Sequence, residues 1–238
     1  MTTGMRVQAG SLLQIRTQMT RDDVRRNPAD AWPGAVIRLG PDARRLEHAG
    51  FIEAADAEGM RKTGWRHLSV WADAGKRNLM AVVDTEHADG ERAVYRVLDQ
   101  SGALLARVVR TQGSVTGFRR THWSVDIAGG PTLRAVKGTV FGWSVWWALS
   151  PLWAVLTPLV VVGADVARMP LSTTFRSGQA DMLSFGDVTG TDHSFQVNAD
   201  WPDPRVLFAL AALHNAHISW RDRPDRTLTA EELDRWRS

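Results

Sequence analysis

The chain of 238 residues contains no cysteine. This absence excludes disulfide bonds, thiolate metal sites, a cysteine nucleophile and iron–sulfur clusters. Tyrosine is almost absent as well, with one residue against 11 tryptophans and 7 phenylalanines. A hydrophobic fraction of 44 % and a charged fraction of 23 % are typical of a globular protein, so a disordered chain, a collagen and a coiled-coil rod are excluded.

The sequence signatures of common enzymes are also absent. The chain has no Gly-x-x-x-x-Gly-Lys-Ser/Thr loop, no Gly-x-Gly-x-x-Gly, no His-Glu-x-x-His and no Gly-x-Ser-x-Gly. His214 and His217 share a face of a predicted helix and have the spacing of metal ligands, but no further ligand is near them in sequence. They are expected instead to cap helix carbonyls. We therefore expect a protein that is not an enzyme, with no cofactor and no metal. A weaker alternative is a hydrolase that uses unrecognised residues in a pocket with shifted pKa values.

The charge is distributed unevenly along the chain. The net charge is +3, yet residues 61–138 carry 13 basic and 7 acidic residues. Six basic residues of this stretch are the candidates for binding the headgroups of anionic lipids: Arg107, Arg110, Arg119, Arg120, Arg134 and Lys137. A basic region of this kind attracts an anionic membrane or nucleic acid, and charged side chains on solvated strand edges give the same pattern.

A weak repeat in the middle of the chain predicts β-hairpins. The segments 70–82, 97–108 and 125–136 each read as a strand, a turn with Asp and Gly, and a second strand. The Asp side chain bonds the backbone of such a turn, and Gly supplies a position with positive φ. A fourth pair of strands is predicted at 174–185 and 193–199.

One helix is predicted near the end of the chain. Asp203 is a favoured N-cap, Pro204 is favoured at the first helical position, and the run to Ile218 is apolar on nearly all sides until His214. Such a helix is buried all round, so we expect it inside the β structure. The β domain is expected to cover residues 65–218.

The segments on either side of this domain have another composition. Residues 1–64 are expected to form an arm with short helices around 21–26 and 42–57. Residues 219–238 are expected to form a polar tail with a short helix, because Thr229 and Glu232 have the spacing of a capping box. The first residues lack the apolar core of a signal peptide. Basic residues are more frequent before the uncharged stretch 139–164 than after it, which favours a main domain that faces the cytoplasm.

Hairpins with Asp-x-x-Gly turns followed by an apolar helix resemble the LURP-one-related and phospholipid scramblase group. The stretches that carry the resemblance are 95–108, 123–136 and 195–200 leading into 206–213. The resemblance implies a tubby-like fold, which is a closed β-barrel around a central hydrophobic helix. It also implies binding of phosphoinositides or other phospholipids, and no catalytic residues.

An uncharged block of 26 residues, Thr139–Ala164, departs from this family, whose typical members lack it. A helix of that length is long enough to cross a bilayer. Tryptophans suited to the membrane interface are Trp143, Trp146, Trp147 and Trp153. Residues 140–149 also alternate between large and small side chains, which is typical of a strand. The block is therefore predicted to span the membrane, to enter and leave it on one side, to be buried core, or to form an exposed surface that binds a partner.

These patterns predict a non-enzymatic, membrane-associated protein of lipid-binding or scramblase-like type. Its basic hairpins are expected to approach an anionic phospholipid membrane. Binding of nucleic acid is not expected, because the tryptophans of the uncharged block are separated in sequence from the arginines. The alternative is a soluble tubby-like interaction module with residues 139–164 buried in its core. A protein partner fits either hypothesis.

Overall fold

The computed structural model describes residues 6–16, 32, 34–55, 64–114, 119–138, 172–186, 192–201 and 203–218. These residues form twelve strands and one helix. The elements are β1 (Leu12–Arg16), β2 (Ala35–Gly40), β3 (Glu47–Ala54), β4 (His67–Trp71), β5 (Leu79–Ala88), β6 (Arg92–Leu98), β7 (Leu104–Thr111), β8 (His122–Ile127), β9 (Thr132–Lys137), β10 (Thr173–Ser177), β11 (Ala180–Gly186), β12 (Asp192–Val197) and α1 (Pro204–Ile218).

The twelve strands form a closed antiparallel barrel in which each strand pairs with its neighbours in sequence. The barrel is closed by the pairing of β1 with β12, in which Leu13 is opposite Phe195. Closure removes the free edges that an open sheet exposes. The interpretation of the basic residues as charges on sheet edges is therefore wrong for this barrel.

The two ends of the barrel differ in the connections they carry. One end, named here the turn end, has the connections 41–46, 72–78, 99–103, 128–131 and 178–179. The opposite end, named the loop end, has the three longest connections, which are 17–34, 55–66 and 138–172. The long connections thus start and end at one end of the barrel, whereas the strand-to-strand connections at the other end have at most seven residues.

Helix α1 enters the barrel at the turn end and ends at the loop end. At its start, Nη1 of Arg205 is 3.7 Å from Oδ2 of Asp99, a residue of the turn between β6 and β7. Every residue from Val206 to Leu213 is at most 2 % exposed, over more than two helical turns. Strands therefore surround the helix, which explains why it is apolar on all sides.

The predicted helix and the three predicted hairpins are confirmed. The backbone N–H of Arg205 donates to Oδ1 of Asp203 at 2.9 Å, as expected for an N-cap. The hairpins are β4–β5, β6–β7 and β8–β9. These elements were predictable because their signals are local: a cap, a turn residue, or an apolar run.

Two other predictions are wrong. The helix expected over 42–57 is absent, since Glu47–Ala54 form β3, and the strand expected over 174–185 is a hairpin of β10 and β11. Residues 1–64, expected as an arm, supply β1, β2 and β3 of the barrel. β3 pairs with β4, and β1 pairs with β12, which is far from it in sequence, so these strands are stabilised by partners that local patterns do not reveal. The short helix expected in 219–238 and the one around 21–26 lie outside the described residues.

Candidate functional site

A groove of about 840 Å³ lies on the outer face of β9 and β10 and extends from Gly178 at the turn end to Gly138 and Ser172 at the loop end. Its polar lining consists of Arg120, Thr132, Arg134, Ser172, Thr174 and Arg176. Strand alternation places these groups outside. Leu133 and Ala135 of β9 are buried, as is Phe175 of β10, so the side chains between them face outward. The groove thus combines three guanidinium groups with three hydroxyl groups.

The positive charge of the groove is only partly compensated. Arg134 and Arg176 are opposite each other in the β9–β10 register, where like charges repel. Nε of Arg176 donates to Oδ1 of Asp181 at 2.6 Å, which offsets one of the charges. Arg134 is exposed and has no ion pair in the part of the chain that the structure describes. Arg120 donates from Nη1 to the backbone oxygen of Gly138 at 3.3 Å.

The groove also borders both ends of the longest connection. The backbone N–H of Gly138 donates to the backbone oxygen of Ser172 at 2.7 Å, and both residues line the groove. The chain therefore leaves the barrel and returns to it at one place. The uncharged block 139–164 belongs to this connection, whose flanking residues Gly138 and Ser172 both line the groove.

The six predicted headgroup residues do not form one patch. Arg120 and Arg134 line the groove. Arg107 is on the outer face of β7, where Nε and Nη2 donate to the Glu86 carboxylate at 3.1 and 2.9 Å. Arg119 forms an ion pair with Glu91 at 3.7 Å.

The two remaining candidates are on the inner side of their strands. Arg110 follows the buried Ala106 and Val108 at spacings of two, and Lys137 follows Leu133 and Ala135 in the same way. Arg176 was missed, because its place opposite Arg134 depends on the register of strands that a long connection separates. The predicted interface residues Trp143, Trp146, Trp147 and Trp153 lie outside the described residues.

The two predicted histidines, His214 and His217, are near the C-terminus of α1, at the loop end of the barrel. The ring of His214 lies 4.8 Å from Phe185, 5.5 Å from Phe195 and 5.6 Å from Trp123, measured between ring centroids. Burial lowers the pKa of His214 to about 3, with smaller contributions from Lys137 and other basic groups. Burial also lowers the pKa of His217 well below its ordinary value. Both rings are therefore neutral near pH 7 and belong to the core.

No group of three or more metal-ligating side chains is found among the residues described above. Across those same residues, no helix has both the length and the apolar character needed to cross a membrane. Comparisons with protein-family models, with curated proteins and with solved structures returned no match to this chain.

Proposed function

We propose that this protein is a non-enzymatic, membrane-associated lipid-binding or scramblase-like protein whose outer groove binds the headgroups of anionic phospholipids. One observation carries the proposal. A groove with three arginines borders both ends of the connection that contains the uncharged block. The same place on the barrel thus carries two features: a segment able to enter a bilayer, and a group of cations able to bind the anionic surface of that bilayer.

The chemistry of the groove suits a phosphate-bearing headgroup. Guanidinium groups bind phosphate oxygens through paired hydrogen bonds, and the hydroxyls of Thr174 and Ser172 supply further donors, whereas that of Thr132 donates to Oδ1 of Asp126 at 2.9 Å. The volume of about 840 Å³ is within the range of sites for small molecules. Because the site is open to solvent, we expect its electrostatic attraction to weaken as the salt concentration rises.

The barrel restricts how the uncharged block enters a membrane. Strands β9 and β10 are paired neighbours in one closed sheet. A single crossing within 139–164 would put β10 on the opposite side of the bilayer from β9, which their pairing forbids. A membrane-inserted block therefore enters and leaves on one side. The whole barrel then faces a single compartment, which we propose to be the cytoplasm.

The resemblance to the LURP-one-related and scramblase group supports the same proposal. That group is expected to have a closed β-barrel around a central hydrophobic helix. A closed barrel with one buried apolar helix is compatible with this expectation. We therefore propose a tubby-like fold for the chain, with the uncharged block as an insertion between β9 and β10.

Sedimentation with vesicles tests headgroup binding. Vesicles of phosphatidylcholine with and without phosphatidylserine are mixed with the wild type and with the double variant R120Q/R134Q at low and high salt. A basic residue near an anionic surface contributes about 1 kcal/mol, so the double variant is expected to bind roughly thirty-fold more weakly. Equal binding of the wild type to both kinds of vesicle contradicts the proposal.

The double variant R107Q/R119Q is the matched control. It removes the same net charge from the outer surface, but each of its arginines already has a glutamate partner. It is therefore expected to bind vesicles nearly as the wild type does. Equal losses in both double variants show that net charge, and not the groove, governs binding.

A washing experiment separates the proposal from its alternative, a soluble tubby-like interaction module with residues 139–164 in its core. Membranes from cells that express the protein are washed with alkaline carbonate. Retention in the pellet and release by detergent support insertion of the block. Recovery from the cytosol as a monodisperse species supports the soluble module.

A further inference from the structure

Two arginines of the groove face each other across paired strands. Arg134 of β9 is directly opposite Arg176 of β10, and both side chains are exposed on the outer face of the barrel. Residues opposite each other in an antiparallel pair have Cβ atoms about 5 Å apart, and like charges in such a pair are destabilising. The pairing of β9 with β10 therefore brings two guanidinium groups to the same part of the groove.

One carboxylate is bonded to this pair of arginines. Oδ1 of Asp181, on β11, accepts a hydrogen bond from Nε of Arg176 at 2.6 Å. Arg134 and Arg120 have no ion pair in the part of the chain that the structure describes. Three arginines with one bonded carboxylate leave the groove with a charge of about +2, which a ligand with two negative charges neutralises.

Strand β8 adds two ionisable groups at the border of the groove. Asp126 accepts a hydrogen bond from the hydroxyl of Thr132 at 2.9 Å, and it is diagonal to Arg134 across the β8–β9 pair. His122 is opposite Val136, which lines the groove. Asp126 therefore weakens the attraction for anions at one border of the groove, while its bonded partner there is a hydroxyl and not an arginine.

We infer that the groove prefers a phosphomonoester to a phosphodiester, with the terminal phosphate bound between Arg134 and Arg176. This inference rests on the proposed headgroup site and names the class of its ligand. A phosphomonoester has three terminal oxygens and a charge of about −1.5 to −2 at pH 7, whereas a phosphodiester has two such oxygens and one negative charge. The monoester therefore supplies acceptors for two guanidinium groups and neutralises the charge that repels them.

Sedimentation with two kinds of anionic vesicle tests this preference. Phosphatidic acid carries a monoester and phosphatidylglycerol carries a diester. The vesicles contain twice as much of the second lipid as of the first, so that their surface charges match. The wild type is expected to bind the phosphatidic acid vesicles about tenfold more tightly, which is the effect of one further hydrogen bond between charged groups. The variant R176Q is expected to bind both kinds of vesicle equally.

The variant R107Q is the matched control. Arg107, like Arg176, is an exposed arginine on the outer face of a strand that donates from Nε to a carboxylate, in this case that of Glu86. R107Q removes the same charge at a place outside the groove, and it is expected to keep the preference for phosphatidic acid. Should R176Q fail to fold, R134Q provides the same comparison. An equal loss of the preference in R176Q and R107Q overturns the inference.

Soluble esters distinguish a lipid headgroup from a free phosphate ligand. The Tm of the full chain is measured with methyl phosphate or dimethyl phosphate at constant ionic strength. The Tm is expected to rise with methyl phosphate, and about tenfold more dimethyl phosphate is expected to be needed for the same rise.

The pH dependence of this response is a second test of the charge on the ligand. Between pH 7.5 and pH 5.5 the monoester takes up a proton with a pKa of about 6, so its affinity is expected to fall about threefold. The diester does not titrate in this interval. A positive charge gained by His122 in acid would have the opposite effect, because it would strengthen the binding of both esters.

The outcomes separate this inference from the proposed headgroup site. Equal binding to the two charge-matched vesicles, together with weaker binding to neutral ones, overturns the inference and leaves the headgroup site standing. A response to methyl phosphate that R176Q removes, without binding to any vesicle, supports a free phosphomonoester and contradicts the membrane proposal. A preference for phosphatidic acid without a response to methyl phosphate supports a lipid headgroup. The absence of a preference for the monoester in both experiments overturns the inference.

Discussion

The hydroxyl group of Tyr95 joins the wall of the barrel to the end of its helix. Its oxygen is 2.6 Å from the backbone oxygen of Gly64 and 2.9 Å from Nε2 of His217. A carbonyl oxygen only accepts, so the phenol donates its single proton to Gly64. His217 must then donate from Nε2 to the phenol oxygen, and this fixes the neutral tautomer of its ring with the proton on Nε2.

The substitution Y95F tests this pair of hydrogen bonds. It leaves the Gly64 oxygen and the His217 N–H without the hydroxyl, and we expect the free energy of unfolding to fall by about 1–3 kcal/mol. Urea denaturation measures the change. H217Q keeps an N–H donor and is expected to be more stable than H217A. Equal stability of those two variants contradicts the tautomer assigned here.

The lowered pKa of His214 predicts that the folded protein loses stability in acid. Its pKa is about 3 in the folded protein and 6.5 ordinarily, so the unfolded chain takes up a proton first as the pH falls. The contribution of the neutral ring is full above about pH 6.5 and is lost progressively toward pH 3, at up to about 1.4 kcal/mol per pH unit. In urea denaturation between pH 7 and pH 5, H214F is expected to lose less stability than the wild type. An unchanged pH dependence in H214F contradicts this assignment.

Gly102, in the turn between β6 and β7, and Gly186, at the end of β11, are predicted to differ in the stability lost when each is replaced by alanine. Gly102 has φ +82° and no atom within 4 Å of a built Cβ, whereas Gly186 has equally open space without a positive φ. G102A is expected to cost about 1–2 kcal/mol, because an L-residue is strained in the left-handed region. G186A is the control and is expected to be nearly neutral. Thermal unfolding compares the two, and equal effects contradict a cost that arises from the backbone angle.

The start of α1 predicts the effect of removing its cap. D203A removes the acceptor for the Arg205 N–H and is expected to cost about 0.5–2 kcal/mol. D203N keeps a capping oxygen but loses the charge that faces the Arg205 guanidinium, at 2.7 Å from Nη2. It is expected to lie between D203A and the wild type in chemical denaturation. If D203N is as unstable as D203A, the ion pair matters more than the cap.

The sequence was informative where its signals are local. Asp203 and Pro204 mark the start of the helix, and the Asp and Gly turns mark three hairpins. The sequence was uninformative where a segment becomes a strand only because neighbouring strands of the closed barrel pair with it. Glu47–Ala54 have a composition compatible with a helix, and they become a strand because β2 and β4 provide partners on both sides.

The candidate site was predictable only in part, because it too depends on strand pairing between residues that are distant in sequence. Arg120 and Arg134 were identified by their charge. Arg176 joins them through a register that the hairpin rules do not supply, because 138–172 separates the two strands. The charge of Arg110 and Lys137 predicts surface cations, since basic residues are rarely on the inner face of a strand. Their inward position follows from the alternation of the residues before them.

The seam between β1 and β12 has a consequence for the synthesis of the protein. Leu13 cannot meet Phe195 until the strands from β2 to β12 have been translated, and the helix that fills the barrel follows all twelve strands. The nascent chain therefore carries eleven strands with neither a closing partner nor an interior filling. Barrel formation is consequently a late step. A chain truncated before Pro204 lacks the helix, so it is expected to be unable to bury the apolar inner faces of its strands and to become a substrate for chaperones and proteases.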